Sequence, residues 1–312
     1  MNRSLAVTVP ATSANLGCAF DCAALALELR MVAEASTSTE PGLEITCQGE
    51  GAARLPTDAS NLVVQAIAKL HNWAGCPMPG LRLRLSSEIP VGVGLGSSAA
   101  AIVAGLLLGA ELVGRRPDDP TLLGLAADLD GHPDNVAAAY LGGLTVAAVE
   151  SGSKSVLSRR ADVPADMRFV VAGPEDPLET SQSRAVLPLT YSRDDAVHNL
   201  QRTALLVASV FSGQFDFQPE FFNDRWHQTR RAELVPGVAE CLEFVHPALL
   251  GVCLSGAGSS VLAICRDGAA EEIADQLRQR FRSREVVART LILKPDNLGA
   301  KGTLAPTPGN GC

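Results

Sequence analysis

Hydrophobic and polar positions along the chain follow two periods, which together predict interleaved strands and helices. Within residues 81–85, leucine alternates with arginine, which is typical of a strand with one buried face. Apolar residues within 62–70 recur at helical spacing, and we predict a helix that is capped by Ser60 and ends at Gly75. Half-polar strands that alternate with helices favour an α+β fold over a parallel sheet buried on both faces.

The same criteria predict the other elements and a boundary between two domains. Strands are predicted at 5–9, 43–48, 145–149, 168–172, 249–254 and 261–265, with a strand or a short helix at 23–29. Helices are predicted at 122–129, 134–141, 195–211, 223–234 and 270–281. Residues 151–160 are rich in serine and charge and lack apolar periodicity, so we predict domains at 1–155 and 156–298. The tail, 299–312, is predicted to be disordered.

One segment without charge, residues 89–110, is long enough to be considered as a membrane span. It contains Pro90 and five glycines, and only 99–108 is continuously small or apolar. An apolar run of that length is more typical of a helix in a protein core. We therefore predict a buried helix here and no association with a membrane.

Composition and charge exclude several classes of partner. The chain has 312 residues, of which 46% are hydrophobic and 19% are charged, a balance typical of a packed globular protein of two domains. Lys and Arg number 26 against 34 Asp and Glu, a formal net charge of −8. Such a surface lacks the basic face that non-specific nucleic-acid binding or a polybasic membrane contact requires. We expect a small-molecule substrate, and neither nucleic acid nor a membrane as partner.

The eight cysteines form no CxxC pair and show no regular spacing, which argues against a zinc site and against a disulfide framework. The N-terminal residues MNRSLAVTVP are too short and too polar a stretch for a secretory signal peptide. Together these two observations predict a reducing, cytoplasmic setting.

The strongest chemical signal is the run Pro90, Val91, Gly92, Val93, Gly94, Leu95, Gly96, Ser97, Ser98, Ala99 and Ala100. Glycines let the backbone curl with its N–H groups pointing inward, and the helix that follows adds the positive end of its dipole. The run therefore predicts a site for a phosphate chain. No Lys or Arg occurs between Glu88 and Arg115, so backbone amides, the dipole and a metal ion would offset the phosphate charge. The two serine hydroxyls can donate to phosphate, and one could ligate Mg²⁺.

Three other interpretations of this run are weaker. A Walker A loop requires a lysine that the run lacks. Gly94, Gly96 and Ala99 match the dinucleotide fingerprint, but the acidic residue expected about 20 positions on would be Glu111, within the same helix. A plain glycine turn before a core helix does not explain the proline, the spaced glycines and the serine pair together.

The run from Pro90 to Ala100 resembles the ATP-binding signature of the GHMP kinases, a family that phosphorylates small alcohols. Residues 9–21 (VPATSANLGCAFD) resemble the first motif of that family, in the form found in the members that act on homoserine. Residues 130–137 (DGHPDNVA) are similar to a segment of the same members. Residues 254–260 (LSGAGSS) resemble the third motif, a glycine-rich turn near the phosphates. The resemblance covers residues 5 to about 265, with the motifs in the family's order.

The resemblance implies a fold and an activity. The fold would be the GHMP kinase architecture, an N-terminal ribosomal-protein-S5-like domain that binds ATP and a C-terminal ferredoxin-like α/β sandwich domain. The activity would be transfer of the γ-phosphate of ATP to the side-chain hydroxyl of L-homoserine, giving O-phospho-L-homoserine in threonine biosynthesis, with Mg²⁺ as the cofactor. The resemblance also implies a homodimer.

The resemblance also implies which residues bind ATP and the metal. ATP contacts are expected from the run 90–100, from Asn61 beside the adenine, and from Gly256 and Gly258 of the third motif. Ser98 and Asp130 would hold Mg²⁺, and Ser98 would also serve catalysis.

An amino-acid substrate needs opposite charges on two sides of its site. Asp21 suits the ammonium group. Arg184 and Arg231, which match arginines of the family, suit the carboxylate, because Arg forms paired hydrogen bonds to a carboxylate. By the same resemblance, Asn15 and His132 would contact the substrate. Asp134 or Asn135 would polarise the attacking hydroxyl.

Structural roles compete with several of these assignments. Asn61 could cap a helix, and His132 could cap a helix or orient Asp134. A lone arginine is most often a solvated surface residue, and Arg230 could stand in the place assigned to Arg231. For the whole chain, the alternatives are another kinase of the same family with a mevalonate- or sugar-type substrate, and a nucleotide- or amino-acid-binding regulator without catalysis.

Three positions depart from the family pattern. Ala19 stands where the first motif has a glycine, Asp130 stands where a glutamate is usual, and Ser259 stands where a proline is common. Aspartate is one methylene shorter than glutamate, so Asp130 would reach a metal through water or after a small backbone shift. None of the three changes removes a charged group or a hydroxyl that the chemistry requires.

Overall fold

The computed structural model describes residues 4–38, 40–175 and 180–302, which form two sheets with helices packed on them. The strands are β1 (Ser4–Ala14), β2 (Ala23–Ser38), β3 (Leu43–Gly49), β4 (Gly80–Ser87), β5 (Leu144–Val149), β6 (Val156–Ala161), β7 (Met167–Pro174), β8 (Leu249–Leu254), β9 (Val261–Arg266), β10 (Ala288–Leu293) and β11 (Lys301–Gly302). The helices are α1 (Leu62–Ala74), α2 (Ser97–Val113), α3 (Asp119–Asp130), α4 (Asp134–Leu141), α5 (Thr180–Ala185), α6 (Arg193–Phe211), α7 (Gln228–Ala232), α8 (Val238–Leu242) and α9 (Ala270–Arg282). Short 3₁₀ turns lie at Ala52–Arg54 and Pro219–Phe222.

The first sheet has the order β11-β1-β2-β4-β3 among the described residues. The long strand β2 pairs with β4 through its second half and with β5 through its first residues, and β5 pairs with β6. Only β3 and β4 run parallel among these described pairs. Helices α2 and α4 pack on β1 and β2, and 12 of the 17 residues of α2 are buried. The apolar run 99–108 is therefore part of a core helix, as predicted. Within the described ranges, no helix combines the length and the apolar character needed to cross a bilayer.

The second sheet has the order β10-β7-β9-β8, and all of its pairs are antiparallel. Helices separate β7 from β8 and β9 from β10, whereas β8 and β9 are joined by a tight turn. Numbered along the chain, the four strands lie in the order four, one, three, two. This is the ferredoxin-like arrangement that the sequence resemblance implies.

The two sheets share one apolar core. One face of the second sheet contributes Phe169 and Ile264 to a cluster that also contains the β1, β2 and α2 side chains. The other face is covered by α8 and α9. Leu277 and Phe281, both in α9, are buried in the apolar cluster on this face. Because both halves pack into a common interior, residues on the loops between them hold fixed relative positions.

The start of α1 differs from the prediction by one residue. Asn61, rather than Ser60, is the N-cap, because Asn61 Oδ1 accepts from the Val63 N–H at 3.0 Å. The Ser60 hydroxyl instead donates to the Asp58 carboxylate at 2.5 Å. Its side chain is therefore engaged before the helix begins.

The helix predicted at 223–234 is much shorter, because only α7 is helical. The Asp224 carboxylate accepts from the backbone N–H groups of His227 and Gln228, both at 2.8 Å. These bonds hold the chain in a turn ahead of the helix. Apolar spacing alone cannot reveal such a local competitor to helix formation.

Two segments near the predicted boundaries belong to the first sheet. Strand β6, which the boundary at 156 assigns to the second domain, pairs with β5 throughout its length. At the other end of the chain, β11 pairs with β1, and the Ala300 N–H donates to the Tyr140 carbonyl. The predicted disorder therefore does not apply to residues 299–302, and residues 303–312 lie outside the described residues.

Candidate active site

A cavity of about 650 Å³ lies between the two sheets, and most of the predicted site residues line it. These residues are Asn15, Asp21, Asn61, Val91, Gly92, Gly94, Leu95, Gly96, Ser97, Ser98, Ala99, Asp130, His132, Asp134, Asn135, Arg184, Arg231, Gly256 and Gly258. The fold brings them together from distant parts of the chain. Asn15 Nδ2, for example, donates to the Gly256 carbonyl at 2.7 Å across a separation of 241 positions.

Three residues of the predicted ATP-binding run lie outside this cavity. Pro90 and Val93 line a smaller cavity of about 230 Å³ on the other side of the loop. Ala100 is fully buried in α2. The side chains of Pro90 and Val93 border only the smaller cavity, and Ala100, the fourth residue of α2, faces the core. A contiguous motif therefore overstates the set of contact residues.

Glycines shape the loop that precedes α2. Gly92, Gly94 and Gly96 have φ values of 81°, 84° and 67°, a region that favours glycine. A Cβ on Gly94 would overlap the Ser255 carbonyl oxygen, and a Cβ on Gly96 would overlap the Thr12 hydroxyl. Both positions require glycine for conformation and for space.

The N-terminus of α2 opens onto the cavity. Gly96 is its N-cap, and no side chain among the described residues caps the helix. The N–H groups of the first turn and the positive end of a 17-residue helix therefore face the space beside Ser97 and Ser98. This arrangement suits a phosphate group and requires no cationic side chain.

The two glycine-rich turns are joined by a serine that the sequence analysis did not select. The Ser255 hydroxyl donates to the Gly94 carbonyl at 2.7 Å and lies 2.9 Å from the Ser13 hydroxyl. The Gly256 N–H donates to the Ala14 carbonyl at 3.1 Å. The first, second and third motifs are thus connected directly, which gives residues 90–96, the candidate phosphate loop, a fixed shape.

An apolar wall lies at the Asn61 end of the cavity, and the sequence analysis predicted only Val91 among its residues. Its residues are Met31, Leu55, Pro56, Leu62, Val63, Leu85 and Val91. Apolar residues carry no chemical signature, so only the fold shows that they share a pocket. Asn61 lines the same pocket and also donates to the Pro56 carbonyl at 2.7 Å, so its capping role is compatible with contact to a ligand.

Opposite charges meet at the other end of the cavity. Arg184 Nη2 lies 2.9 Å from Asp21 Oδ1, and the Arg184 and Arg231 guanidinium groups lie 5.7 and 5.3 Å from the centre of the Phe20 ring. Asn15 Oδ1 accepts from the Asp21 N–H at 2.9 Å. Asn15 and Asp21 have φ values of 71° and 52°, and strain of this kind clusters at functional sites. One small zwitterion could contact both signs of charge.

Arg231 is buried, with only 3% of its surface exposed, whereas Arg230 is exposed and does not line the cavity. The choice between these two arginines therefore favours Arg231. Its Nε donates to the Ser183 carbonyl at 3.1 Å. Burial and the nearby Arg184 lower the pKa of Arg231 to about 10, so the group remains charged at neutral pH.

Two carboxyl groups with little access to solvent lie beside the cavity: Asp130, the last residue of α3, is half-buried, and Asp134, the first residue of α4, is buried. Burial raises the pKa of Asp130 to about 6, although a hydrogen bond with the Ser98 hydroxyl opposes this rise. Burial raises the pKa of Asp134 to about 7, and its Oδ1 accepts from the Asn135 N–H at 2.7 Å. Burial lowers the pKa of His132, which favours its neutral form. A carboxyl group with a pKa near 7 is suited to proton transfer at neutral pH.

Thr12 is another residue that the sequence analysis did not single out. Its hydroxyl donates to Asn135 Oδ1 at 2.7 Å, and its N–H donates to the Leu95 carbonyl at 3.1 Å. It therefore connects the phosphate loop with the first turn of α4. The only signal for Thr12 in the sequence was its place within the first motif. The fold shows that its hydroxyl is buried, and a buried hydroxyl needs a hydrogen-bond partner.

Ser98 and Asp130 are suitable metal ligands. Their oxygens are the hard donors that Mg²⁺ prefers, and Ser98 lies near enough to Asp130 to lower the pKa of its carboxyl group. The described residues contain no cluster of three or more His, Cys, Asp or Glu side chains that could hold a metal ion. Few protein ligands are typical of an Mg²⁺ site that is completed by substrate phosphates and water.

Comparisons with known proteins show the family to which this fold belongs. Residues 61–143 match the model for the GHMP kinases N-terminal domain, and 214–283 match the model for the GHMP kinases C-terminal domain. The homoserine kinase of Desulfitobacterium hafniense is 37% identical over 295 residues, covering 94% of this chain and 98% of that protein. The homoserine kinase of Deinococcus radiodurans is 42% identical over 262 residues, covering 83% and 84%.

A solved structure extends the similarity to the whole fold. The crystal structure of homoserine kinase from Cytophaga hutchinsonii has a TM-score of 0.84 to this protein at 27% sequence identity, covering 97% of this chain and 98% of that one. Similarity of this extent in both sequence and fold, together with the two matching domain models, means that this chain belongs to the GHMP kinase family.

Proposed function

We propose that this protein transfers the γ-phosphoryl group of ATP to the side-chain hydroxyl of L-homoserine, giving O-phospho-L-homoserine and ADP in threonine biosynthesis. One observation carries the proposal: a single cavity combines an amide-lined phosphate loop with an Asp and two Arg side chains that suit an amino acid. Mevalonate and sugars do not carry an α-ammonium and a carboxylate together, so their charged groups do not match this arrangement of Asp and Arg side chains. The names of the relatives support the same substrate.

ATP would bind with its adenine against the apolar wall beside Asn61 and its phosphates at the N-terminus of α2. The backbone N–H groups around Gly94 and Gly96 would donate to the phosphate oxygens, since these glycines keep the loop free of side chains. The hydroxyls of Ser97 and Ser98 would add further donors. This chain's contribution to ATP binding is thus mainly an oriented backbone.

Mg²⁺ is the cofactor that fits the site, with Ser98 and Asp130 as its protein ligands. When bound, it supplies positive charge that neutralises the phosphates during transfer. Asp130 is half-buried and has a raised pKa, so a neighbouring cation would stabilise its ionised carboxylate. The donor set therefore fits the ion, although Asp130 is shorter than the glutamate usual in the family.

The substrate would lie between the charged end of the cavity and the phosphate loop. Asp21 would bind its ammonium group, and Arg184 and Arg231 would bind its carboxylate, with Asn15 and His132 as further contacts. These contacts orient the hydroxyl toward the γ-phosphate, which is the main requirement of phosphoryl transfer.

The hydroxyl proton has a suitable acceptor in Asp134, whose pKa of about 7 lets it take up a proton at neutral pH. Asn135 is held by Thr12 and is suited to polarise the hydroxyl rather than to accept its proton. Ser98 would act through the metal and the phosphates.

We also propose that the protein acts as a homodimer in the cytoplasm, where ATP is supplied. Helix α6 exposes an apolar stripe formed by Val197, Leu200, Ala204, Leu205, Ala208 and Phe211. Residues three and four positions apart lie on one face of a helix, and an exposed apolar face of this kind marks an interaction surface. The alanines in the middle of the stripe permit close approach of a second copy of α6.

A panel of acceptors tests the proposed function. ADP formation is measured with ATP and Mg²⁺ and with L-homoserine, L-serine, mevalonate or galactose as the acceptor, and the product is identified by phosphorus NMR. We expect the highest kcat/KM with L-homoserine and no turnover when EDTA removes Mg²⁺. A higher kcat/KM with mevalonate or galactose would refute the substrate. Tight binding of ATP and homoserine by calorimetry without turnover would instead indicate a regulator.

A further inference from the structure

His227 is a buried histidine in contact with Arg231, and the sequence analysis gave it no role. Its side chain is fully inaccessible to solvent. Its Nε2 lies 2.8 Å from the Gly17 carbonyl oxygen, and its Nδ1 lies 3.2 Å from Arg231 Nη1. The ring also packs against Phe20, with 5.1 Å between the ring centres. His227 therefore contacts both the first motif and the arginine assigned to the substrate carboxylate.

The neighbours of His227 determine which ring nitrogen carries the proton. A guanidinium group only donates hydrogen bonds, so Nδ1 must accept from Arg231. A carbonyl oxygen only accepts, so Nε2 must carry the proton and donate to Gly17. Burial lowers the pKa of His227, which keeps the ring neutral. The ring thus presents one acceptor to the guanidinium group.

Asp224 fixes the backbone from which His227 projects. Its carboxylate accepts from the His227 N–H at 2.8 Å and from Asn199 Nδ2 at 2.7 Å. Asp224 Oδ2 also lies 3.9 Å from His227 Nε2, which favours the proton on that nitrogen. The histidine is therefore held by the turn before α7 and by the ring contacts together.

We propose that His227 is a positioning residue that sets the plane of the Arg231 guanidinium group for the carboxylate of the substrate. The inference rests on the proposed function and assigns how its carboxylate site is built. Arg231 Nε is held by the Ser183 carbonyl, and its Nη1 is held by His227 and by the Gly256 carbonyl at 3.4 Å. Among the described residues, none accepts from Arg231 Nη2. These contacts direct that nitrogen into the cavity that Arg231 lines.

Two variants separate the two bonds of the ring. In His227→Asn, the amide oxygen takes the place of Nδ1 and keeps an acceptor for Arg231. In His227→Gln, the amide nitrogen takes the place of Nε2 and keeps the donor to Gly17, but the acceptor is lost. His71→Gln is the matched control, because His71 is also buried, with its Nδ1 3.0 Å from the Pro77 carbonyl.

Steady-state kinetics of the full chain are measured with L-homoserine and with 3-aminopropan-1-ol, which lacks the carboxylate. We expect His227→Gln to raise the KM for L-homoserine about tenfold or more, as the loss of one orienting hydrogen bond to a charged group implies. His227→Asn should recover most of this loss. The KM for ATP and the kinetics with 3-aminopropan-1-ol should stay within about twofold in every variant. An unchanged KM for L-homoserine in His227→Gln, or an equal rise with both acceptors, would overturn the proposal.

A measurement on the unaltered protein does not depend on how the variants fold. Nitrogen NMR of protein labelled at histidine should show His227 as the neutral tautomer with its proton on Nε2, and its Nδ1 signal should shift when L-homoserine binds. A proton on Nδ1 would contradict the contact with Arg231. If the wild-type protein fails to phosphorylate L-homoserine, the proposed function is wrong, whereas the tautomer still tests the contact itself.

Discussion

At the scale of single residues, the fold disfavours the ionised form of the Asp134 carboxyl group in the cavity. Burial raises the pKa of Asp134 from its ordinary value of 3.8 to about 7. The folded state keeps this proton up to about pH 7, whereas the unfolded chain releases it near pH 3.8. The contribution of Asp134 to stability therefore falls as the pH rises between these values and is lowest above pH 7. A group retained at such a disadvantage is typical of a functional site.

Replacing this acid by a neutral amide should stabilise the metal-free protein while removing activity. For Asp134→Asn we expect a gain of about 1–3 kcal/mol in the free energy of unfolding at pH 8, because one pKa unit corresponds to about 1.4 kcal/mol. The gain should shrink as the pH falls toward 4. Urea unfolding at pH 5 and pH 8 in EDTA measures it, with Asp216→Asn as an exposed control. A loss of stability at pH 8 would show that ionisation of Asp134 is not disfavoured.

If Ser98 and Asp130 hold Mg²⁺, substitution of either residue should lower kcat. Asp130→Asn should lower kcat about 100-fold or more, because the amide cannot neutralise a cation, and Ser98→Ala should lower kcat in the same direction. Asp130→Glu, which restores the residue usual in the family, should retain activity. Initial rates over a range of Mg²⁺ concentrations measure these effects. Equal Mg²⁺ dependence in wild type and Asp130→Asn would place the metal elsewhere.

At the scale of elements, the phosphate loop owes its shape to the turn between β8 and β9. Gly94 approaches that turn so closely that a Cβ would meet the Ser255 carbonyl, and Ser255 donates back to the Gly94 carbonyl. The N-terminus of α2 is thus held by an element more than a hundred positions further along the chain. ATP affinity should depend on this contact as much as on the loop itself.

Comparing Gly94→Ala with Gly152→Ala separates the effect of the close contact with Ser255 from the effect of the positive φ. The two glycines have similar φ values, 84° and 80°, but a Cβ on Gly152 would meet nothing within 4 Å. Gly152→Ala should cost about 1–2 kcal/mol from backbone strain alone and leave the KM for ATP unchanged. Gly94→Ala should cost more and raise the KM for ATP at least about tenfold. Equal effects of the two changes would show that the contact with Ser255 does not matter.

At the scale of the whole molecule, the cavity exists only because two sheets share a core. The first sheet and its helices supply the phosphate loop and the carboxylates, whereas Arg231 comes from α7 beside the second sheet. The exposed stripe on α6 lies on the opposite side of that helix from its buried residues. Self-association through α6 should therefore leave the cavity open.

A charge in the middle of the α6 stripe tests the proposed dimer. Leu200→Glu should convert a dimer to a monomer, because an isologous contact would bury two like charges against each other. Analytical ultracentrifugation measures the mass, and kcat/KM should change less than about threefold. Asp194→Glu, which keeps a negative charge at an exposed position of the same helix, is the control. A wild-type protein that is monomeric at micromolar concentration would contradict the proposed dimer.

Much of the fold and of the site could be predicted from local patterns. The period of apolar residues predicts α1, β4 and α2, because each of these elements buries one face or all faces. It misses β6, β10 and β11, since strands that alternate little are defined by their partners and not by their own residues. It also overextends α7, where a single carboxylate, Asp224, competes for the backbone.

The amino-acid sequence by itself determined the glycine loop and the family, and it predicted the candidate charged residues of the proposed substrate site. A glycine with positive φ and a carboxylate in a motif can be recognised at their own positions, because few other residue types suit those positions. Only the tertiary structure decided that Arg231 rather than Arg230 enters the cavity, that apolar side chains wall the Asn61 end, and that His227 bonds Arg231. These outcomes depend on contacts between residues far apart in the chain, and the identity of one residue does not specify the partner that folding brings to it.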